Sequence, residues 1–532
     1  MRLIILHYHL RPGGVRRVIE LTAPHLLRAD KPENGFPPCA SCLRVRNLRI
    51  RDKKFSAVVL AAGEPPDEKW LRSFRRSVSP VRVELLIVPA FSYFSEQRGS
   101  ATDRIRAVRA GVDLLLAEPG NSLVWAHNPG LGRNLPLTRE IVRRCRSARI
   151  PLVLHHHDWW FDNRWQRWPE IRRCGFRTPG AVARSIFPAA DTIRHVTINR
   201  DDAAILQKHF RGRVRWLPNP VEPARPPARK RLARRWLSEQ LGNDSPVWIL
   251  PCRVLRRKNI AEALLLTRWL RPEAWLVTTG GVSSADEKGY AGKLLAAAQT
   301  NGWPLRLGIL DGGAGPAVPE LLAVSEAVLL TSLQEGFGLP NLEAAAAARP
   351  LIARRLPNVA PDLAGFGFRF PQSYDEILVA PELFDWRNEE QRQEKLFRTW
   401  RQRLPRSCRA WAGEPFLLAH PSQPVPFSRL SLTAQLEVLG RPTSESWSLC
   451  APINPFLRTW KKRASAGTLR VTAWPRGAEK WLGGPAYAER FGEIFLPPGH
   501  GRAADARAAQ EDFLRDRLKS ASLFPLLWAP VT

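Results

Sequence analysis

The stretch AVLLTSLQEGFGLPNLEA, residues 327–344, decides the fold. It opens on a short apolar run, passes through a turn holding Gly336 and Gly338, and enters a helical pattern after Pro340. A strand feeding a helix through a Gly-rich turn is the unit from which parallel α/β sheets are built. The helix start leaves main-chain N–H groups without intrahelical partners, and its dipole favours anions. Two carboxylates flank this start, Glu335 before it and Glu343 within its first turns. Carboxylates accept strongly from hydroxyl donors.

The same alternation extends in both directions. Upstream, Val247–Leu250, Trp275–Thr278 and Leu305–Leu310 read as strands, with helices over Ile260–Trp269, Lys288–Thr300 and Val318–Ser325 between them. Downstream, Pro350–Ala353 gives the next strand. The segment LPNPVEPARPPARK, residues 217–230, carries five prolines in fourteen residues and cannot continue a helix or a central strand. It reads as a connection between domains. Before it the pattern is repeated: Leu3–Leu6, Phe55–Ala61, Val83–Val88, Ser122–Ala126 and Pro151–Leu154 are strand-like, and Val15–Leu27 has helical spacing. Two α/β domains follow, which suits 532 residues, since single cores stop growing near 250–300 residues. The expected boundaries are 1–215, 216–395, a helical segment over 396–440 that crosses back to the first domain, and an extension over 441–532 without clear period.

Composition excludes several classes. Apolar residues make up 44% and Trp reaches 20, which rules out a disordered chain. Seven Cys are too few for a disulfide scaffold, and Cys39 and Cys42 form a lone CxxC read as loop thiols. No apolar run is long enough for a transmembrane helix, and the N-terminal run Leu3–Leu6 is a first strand rather than a signal peptide. The expected location is cytoplasmic, with peripheral contact at the inner membrane face. Lys plus Arg number 81 against 49 Asp plus Glu, a formal charge of +32. Such charge draws nucleotide phosphates and anionic membranes. The basic residues are spread along the chain without the spacing of a DNA-reading motif, so nucleic acid is not the expected partner.

Four segments in order resemble retaining glycosyltransferases of family 4, which have the GT-B fold of two Rossmann-like domains whose parallel sheets face a central cleft. They are Pro12-Gly13-Gly14-Val15, Leu217-Pro218-Asn219-Pro220-Val221, Arg253-Val254-Leu255-Arg256-Arg257-Lys258-Asn259, and the stretch around Glu335 and Glu343, which have the separation found in the family. They fall within residues 1–440. The resemblance implies a nucleotide diphosphate sugar as donor substrate, no cofactor, no metal, and an acceptor that is not identified. It places Glu335 at the donor sugar and Glu343 at the ribose. Gly336, Phe337, Gly338 and Leu339 would present main-chain N–H groups to sugar and diphosphate. Arg253 and Lys258 would balance the leaving diphosphate, while Arg256 and Arg257 read as a solvated face. Gly13 and Gly14 would allow close approach of the donor, and Arg16 could add a phosphate contact.

Two histidine groups end strands of the first domain. His127 follows SLVWA, and His155, His156, His157 and Asp158 follow PLVL. In the family the histidine after this strand lies near the reacting sugar carbon, which matches His157. His127 resembles a second histidine on the acceptor side, and Asp158 would orient an imidazole or meet acceptor hydroxyls. The bland reading is structural histidine. His155 and His157 share a face, but a third same-face metal ligand is not evident. Trp159 and Trp160 read either as an acceptor wall or as anchors of a bulky loop, a departure from the family's shorter loop. Ala348 stands where the family has Gly before Arg349-Pro350, so a small change of geometry is expected there. Two other readings remain open: a glycoside phosphorylase on this fold, and a non-catalytic protein that binds glycan or membrane surface. An inverting transferase is disfavoured by the spaced Glu pair.

Overall fold

The structure is a computed structural model that describes residues 1–27, 55–162, 165–223, 230–282, 284–313, 315–420, 423–495 and 504–528. Cys39, Cys42, Asn163 and Arg164 lie outside the described residues. The chain divides into two compact units, one of residues 1–221 with 479–517, the other of residues 222–478 with 518–532.

The first unit is built on seven strands: β1 (Arg2–Leu6), β2 (Ala57–Ala62), β3 (Arg82–Ile87), β4 (Ser122–His127), β5 (Leu152–His156), β6 (Ile193–Thr197) and β7 (Val214–Trp216). All pairs are parallel and the order is β3-β2-β1-β4-β5-β6-β7. The central strands are buried on both faces, which explains their continuous apolar runs. The second unit has β8 (Val247–Leu250), β9 (Trp275–Thr278), β10 (Leu305–Arg306), β11 (Ala327–Leu330), β12 (Leu351–Arg354) and β13 (Gln372–Tyr374). Their order is β10-β9-β8-β11-β12-β13, again all parallel. Both sheets therefore have the Rossmann order, reversing direction between β1 and β4 in one and between β8 and β11 in the other. The expected fold class, two parallel α/β sheets, is what the structure has. In such sheets the crevice beyond the strand C-termini at the reversal is where ligands bind.

Sequence reading passes over β6, β7 and β13. Each is short or carries charged residues, as in IRHVT, residues 193–197. Residues 441–532 divide between the units. Helices Thr443–Cys450 and Phe456–Ser465 belong to the second. Helices Gly484–Gly492 and Ala506–Leu518, the latter as far as Arg517, belong to the first. The helix Gly484–Gly492 lies on the helix Gly14–Leu27. Gly484 makes this possible: a Cβ there would stand 2.7 Å from the Leu21 carbonyl oxygen and 2.2 Å from the His25 ring. Tyr487 and Phe491 then enter the core beside Trp125. Residues 396–440 lie in the second unit.

Candidate active site

In the second unit the loops leaving β8 and β11, the two strands at the reversal, are tied to each other. Thr331 Oγ1 donates to the carbonyls of Lys258 (2.8 Å) and Asn259 (3.0 Å), and the Leu333 amide donates to the Arg257 carbonyl at 2.7 Å. This clamp sets Glu335 against three donors. Lys258 Nζ and Ser332 Oγ (2.6 Å) meet one carboxylate oxygen, and Arg257 meets the other at 3.1 Å. Asn358 Nδ2 holds the Glu335 carbonyl at 2.7 Å. Burial alone would push the Glu335 carboxyl up. Lys258, Arg257 and Ser332 more than offset that and hold it at about 2. Glu335 is therefore a fixed anion at neutral pH.

Arg257 corrects the expectation of a solvated face, and so does Arg256, which is buried and ion-paired to Glu287 at 3.2 Å. Arg253 differs: it is exposed, and among the described residues it has no acidic partner. Its charge and the Lys258 ammonium belong to the same loop system, one available and one engaged.

The turn after Glu335 closes on Gly338, which caps the helix Leu339–Ala346 at φ 80°. A side chain there would also meet Val359 at 2.7 Å and Asn341 at 2.8 Å. The amides of Phe337 and Gly338 have no acceptor among the described residues, and that of Leu339 is a first-turn orphan. Glu343 is half-buried on the same helix. The segment Leu307–Gly312 lies against the end of β9: the Ile309 and Leu310 amides donate to the carbonyls of Thr278 (3.0 Å) and Thr279 (3.1 Å). Asp311 accepts from the Gly281 amide at 2.9 Å.

In the first unit, β1 and β4 bring His7 and His127 to the reversal. His7 Nδ1 donates to the His127 carbonyl at 3.2 Å, and His127 Nδ1 lies 3.1 Å from His157 Nε2. Asn128, in left-handed backbone at φ 58°, exchanges two hydrogen bonds with Asp158, giving Nδ2 to its carboxylate (3.1 Å) and taking its amide (3.0 Å). His127, Asp158 and His157 are thus brought together. His7 and Asn128 escape the sequence reading; their signal is position, since both end strands that flank the reversal. Burial lowers every imidazole here, His7 to about 3 and His157 to about 4, so all are neutral at pH 7.

The third same-face histidine that sequence does not reveal sits on the neighbouring strand. Nitrogen atoms of His127, His155 and His157 lie within 4.8 Å of one another. However, the Trp125 indole N–H points at His155 Nδ1 at 3.3 Å, which puts the His155 proton on Nε2. A metal at that nitrogen must displace the proton, so the donor set does not fit an ion as it stands.

Trp159 and Trp160 form no acceptor wall. Each is only 1% exposed. Trp159 packs on His156, Phe161 and Phe513 and donates to Asp202 at 2.9 Å, while Trp160 donates to Gln510 at 3.2 Å. Burial of so much apolar area against the helix Ala506–Leu518 outweighs exposure. Gly13 and Gly14 are exposed at the start of the helix that follows β1. Arg16 is engaged by Asp67 (2.5 Å) and Glu20 (3.1 Å), so it is no spare phosphate contact.

No protein-family model matches the sequence. A curated relative, mannosylglucosyl-3-phosphoglycerate synthase of Petrotoga mobilis, is 25% identical over 252 residues, 44% of this chain and 47% of that protein. The chain thus spans about half the length of this relative. Among solved structures, HepE of Anabaena, determined with UDP-glucose, superposes with a TM-score of 0.49 at 14% identity, over 93% of this chain and 98% of that one. Sucrose-phosphate synthase of Thermosynechococcus elongatus gives 0.49 and 14% over 93% and 98%. At these values neither speaks to a shared site.

Proposed function

We propose that this protein is a retaining glycosyltransferase that moves a sugar from a nucleoside diphosphate sugar to an acceptor hydroxyl. The observation that carries this reading is the Glu335 loop: an ionised carboxylate, a buried ammonium, an exposed guanidinium and open helix-end amides, all at the β8/β11 reversal. The similarity to a synthase of a glycosylated phosphoglycerate supports the same class of chemistry.

In this reading Glu335 accepts from hydroxyls of the donor sugar and Glu343 from the ribose. The bond from the anomeric carbon to the diphosphate oxygen breaks as the bond to the acceptor oxygen forms. Negative charge grows on the diphosphate, and Arg253, Lys258 and the amides of Phe337, Gly338 and Leu339 stabilise it more than they stabilise the ground state. The acceptor proton passes to the departing phosphate oxygen. His157, held by His127, is neutral and can make a hydrogen bond without adding charge. Arg257, Ser332 and Asn358 are positioning residues, since they fix Glu335 and its turn.

A binding and turnover screen across nucleotide sugars, on wild type and Glu335→Ala, tests this. Saturable binding of one donor with turnover lowered about a hundredfold or more in the variant is the expected result. Phosphate-dependent release of a sugar phosphate from a glycoside, with no nucleotide sugar bound, would assign a phosphorylase instead. Silence in both assays would leave a non-catalytic protein.

A further inference from the structure

The outer helices of the first unit carry a second concentration of charge. Ala101–Leu115, Leu135–Ser147 and Pro179–Ile186 pack side by side. Between them runs a groove of about 820 Å³ lined by Arg109, Arg139, Arg143, Arg146 and Arg184. With 81 basic residues in the chain, clusters arise by chance, and two features set this one apart.

The first is concavity. The five arginines come from three helices and line one open groove. The second is a buried counter-charge. Glu140 is 3% exposed at the groove and touches Arg143 at 2.8 Å, Arg109 at 3.8 Å and Arg139 at 3.9 Å. One carboxylate thus hydrogen-bonds the Arg143 guanidinium and lies within 4 Å of two more. Arg146 and Arg184 are exposed and have no acidic partner among the described residues. Five positive groups against one negative leave a net charge of +4 in one concavity, by 5 − 1. Planar guanidinium forks match phosphate oxygens in pairs, and several forks in one concavity select a discrete phosphate over diffuse negative charge. The groove is formed by helices along the flank of the sheet, whereas His127 and Asp158 stand at the strand ends.

We propose that this groove is a binding site for a phosphate ester, separate from the donor site. Two sources share that chemistry, a soluble phosphorylated metabolite and the headgroup of an anionic phospholipid. The site does not depend on the transferase reading.

The test uses the full chain and two double variants. Arg146→Gln with Arg184→Gln removes the two unpaired guanidiniums and leaves Glu140 its partners. Arg231→Gln with Arg234→Gln removes equal charge from an exposed helix of the second unit. The probes are glycerol 3-phosphate, by calorimetry, and vesicles of equal parts phosphatidylcholine and phosphatidylglycerol against pure phosphatidylcholine, by co-sedimentation. The expected result is that binding of one probe weakens about tenfold or more in the groove variant and less than about twofold in the control. If glycerol 3-phosphate alone shows this pattern, the source is soluble. If the vesicles alone show it, the source is lipid. Equal loss in both variants would mean bulk charge and overturn the proposal, and so would no binding of either probe. Donor binding in the groove variant, measured in parallel, should equal wild type, so failure here and failure of the transferase reading are distinguishable.

Discussion

Ala348 shows how one residue can look like a defect in sequence and be solved by backbone. The helix Leu339–Ala346 ends with Ala348 at φ 51°, the Ala348 amide on the Ala345 carbonyl (3.0 Å) and the Arg349 amide on that of Ala344 (3.0 Å). This is the Schellman pair, usually closed by Gly. Alanine takes the left-handed position here, and the cost is left-handed strain. Ala348→Gly is predicted to stabilise the protein by about 0.5–1 kcal/mol, read from urea unfolding. The histidines behave collectively. His157 and His195 are held at about 4 against an ordinary 6.5 by burial. The unfolded chain therefore takes up protons first as pH falls. Stability is full above pH 6.5 and drains between there and pH 4, at about 1.4 kcal/mol per histidine per pH unit. Unfolding followed from neutral pH downward should show this loss, and His195→Asn should reduce its slope. Of these residue-level features, the strand-end histidines were legible because they close apolar runs. Their neutrality was not, because it comes from burial by distant chain.

Among elements, the helix Ala506–Leu518 is one that sequence left without a role. Its Arg517 reaches Asp202 at 2.7 Å and Asp162 at 3.3 Å, and its Phe513 stacks among Trp159, Phe161 and Phe187. It is this helix that turns Trp159 and Trp160 inward. Removing the guanidinium leaves the Asp202 side chain, 7% exposed, without the cation it meets at 2.7 Å. Arg517→Met should destabilise the first unit by about 3–5 kcal/mol, seen as an earlier thermal transition. The strands of the core, such as Val247–Leu250 and Ala327–Leu330, were legible to the residue, since a doubly covered parallel strand is a bare apolar run. The Glu335 turn was legible as chemistry, whereas its ties to Lys258, Arg257 and Asn358 were not, because those depend on how loops as much as 78 residues apart meet.

For the whole molecule, alternation of strands and helices gave both α/β units and a proline-rich segment between them. What it did not give was the return of the chain. Residues 479–517 leave the second unit's sequence to complete the first, supplying Tyr487, Phe491 and Phe513 to its core. Residues 441–478 lack a period because their helices are short, and residues 479–517 because each helix packs on a partner chosen by tertiary structure. A chain ending at residue 478 should therefore lack a cooperative transition for the first unit, measured by near-ultraviolet circular dichroism of its tryptophans. The same connectivity sets an order of events during synthesis. The first unit's opening helix and His25 wait, uncovered, until Gly484 and its neighbours leave the ribosome, after all of residues 222–478 have been made. At about 5–20 residues per second that delay is on the order of 13–50 s, long enough for a chaperone to occupy the vacant face.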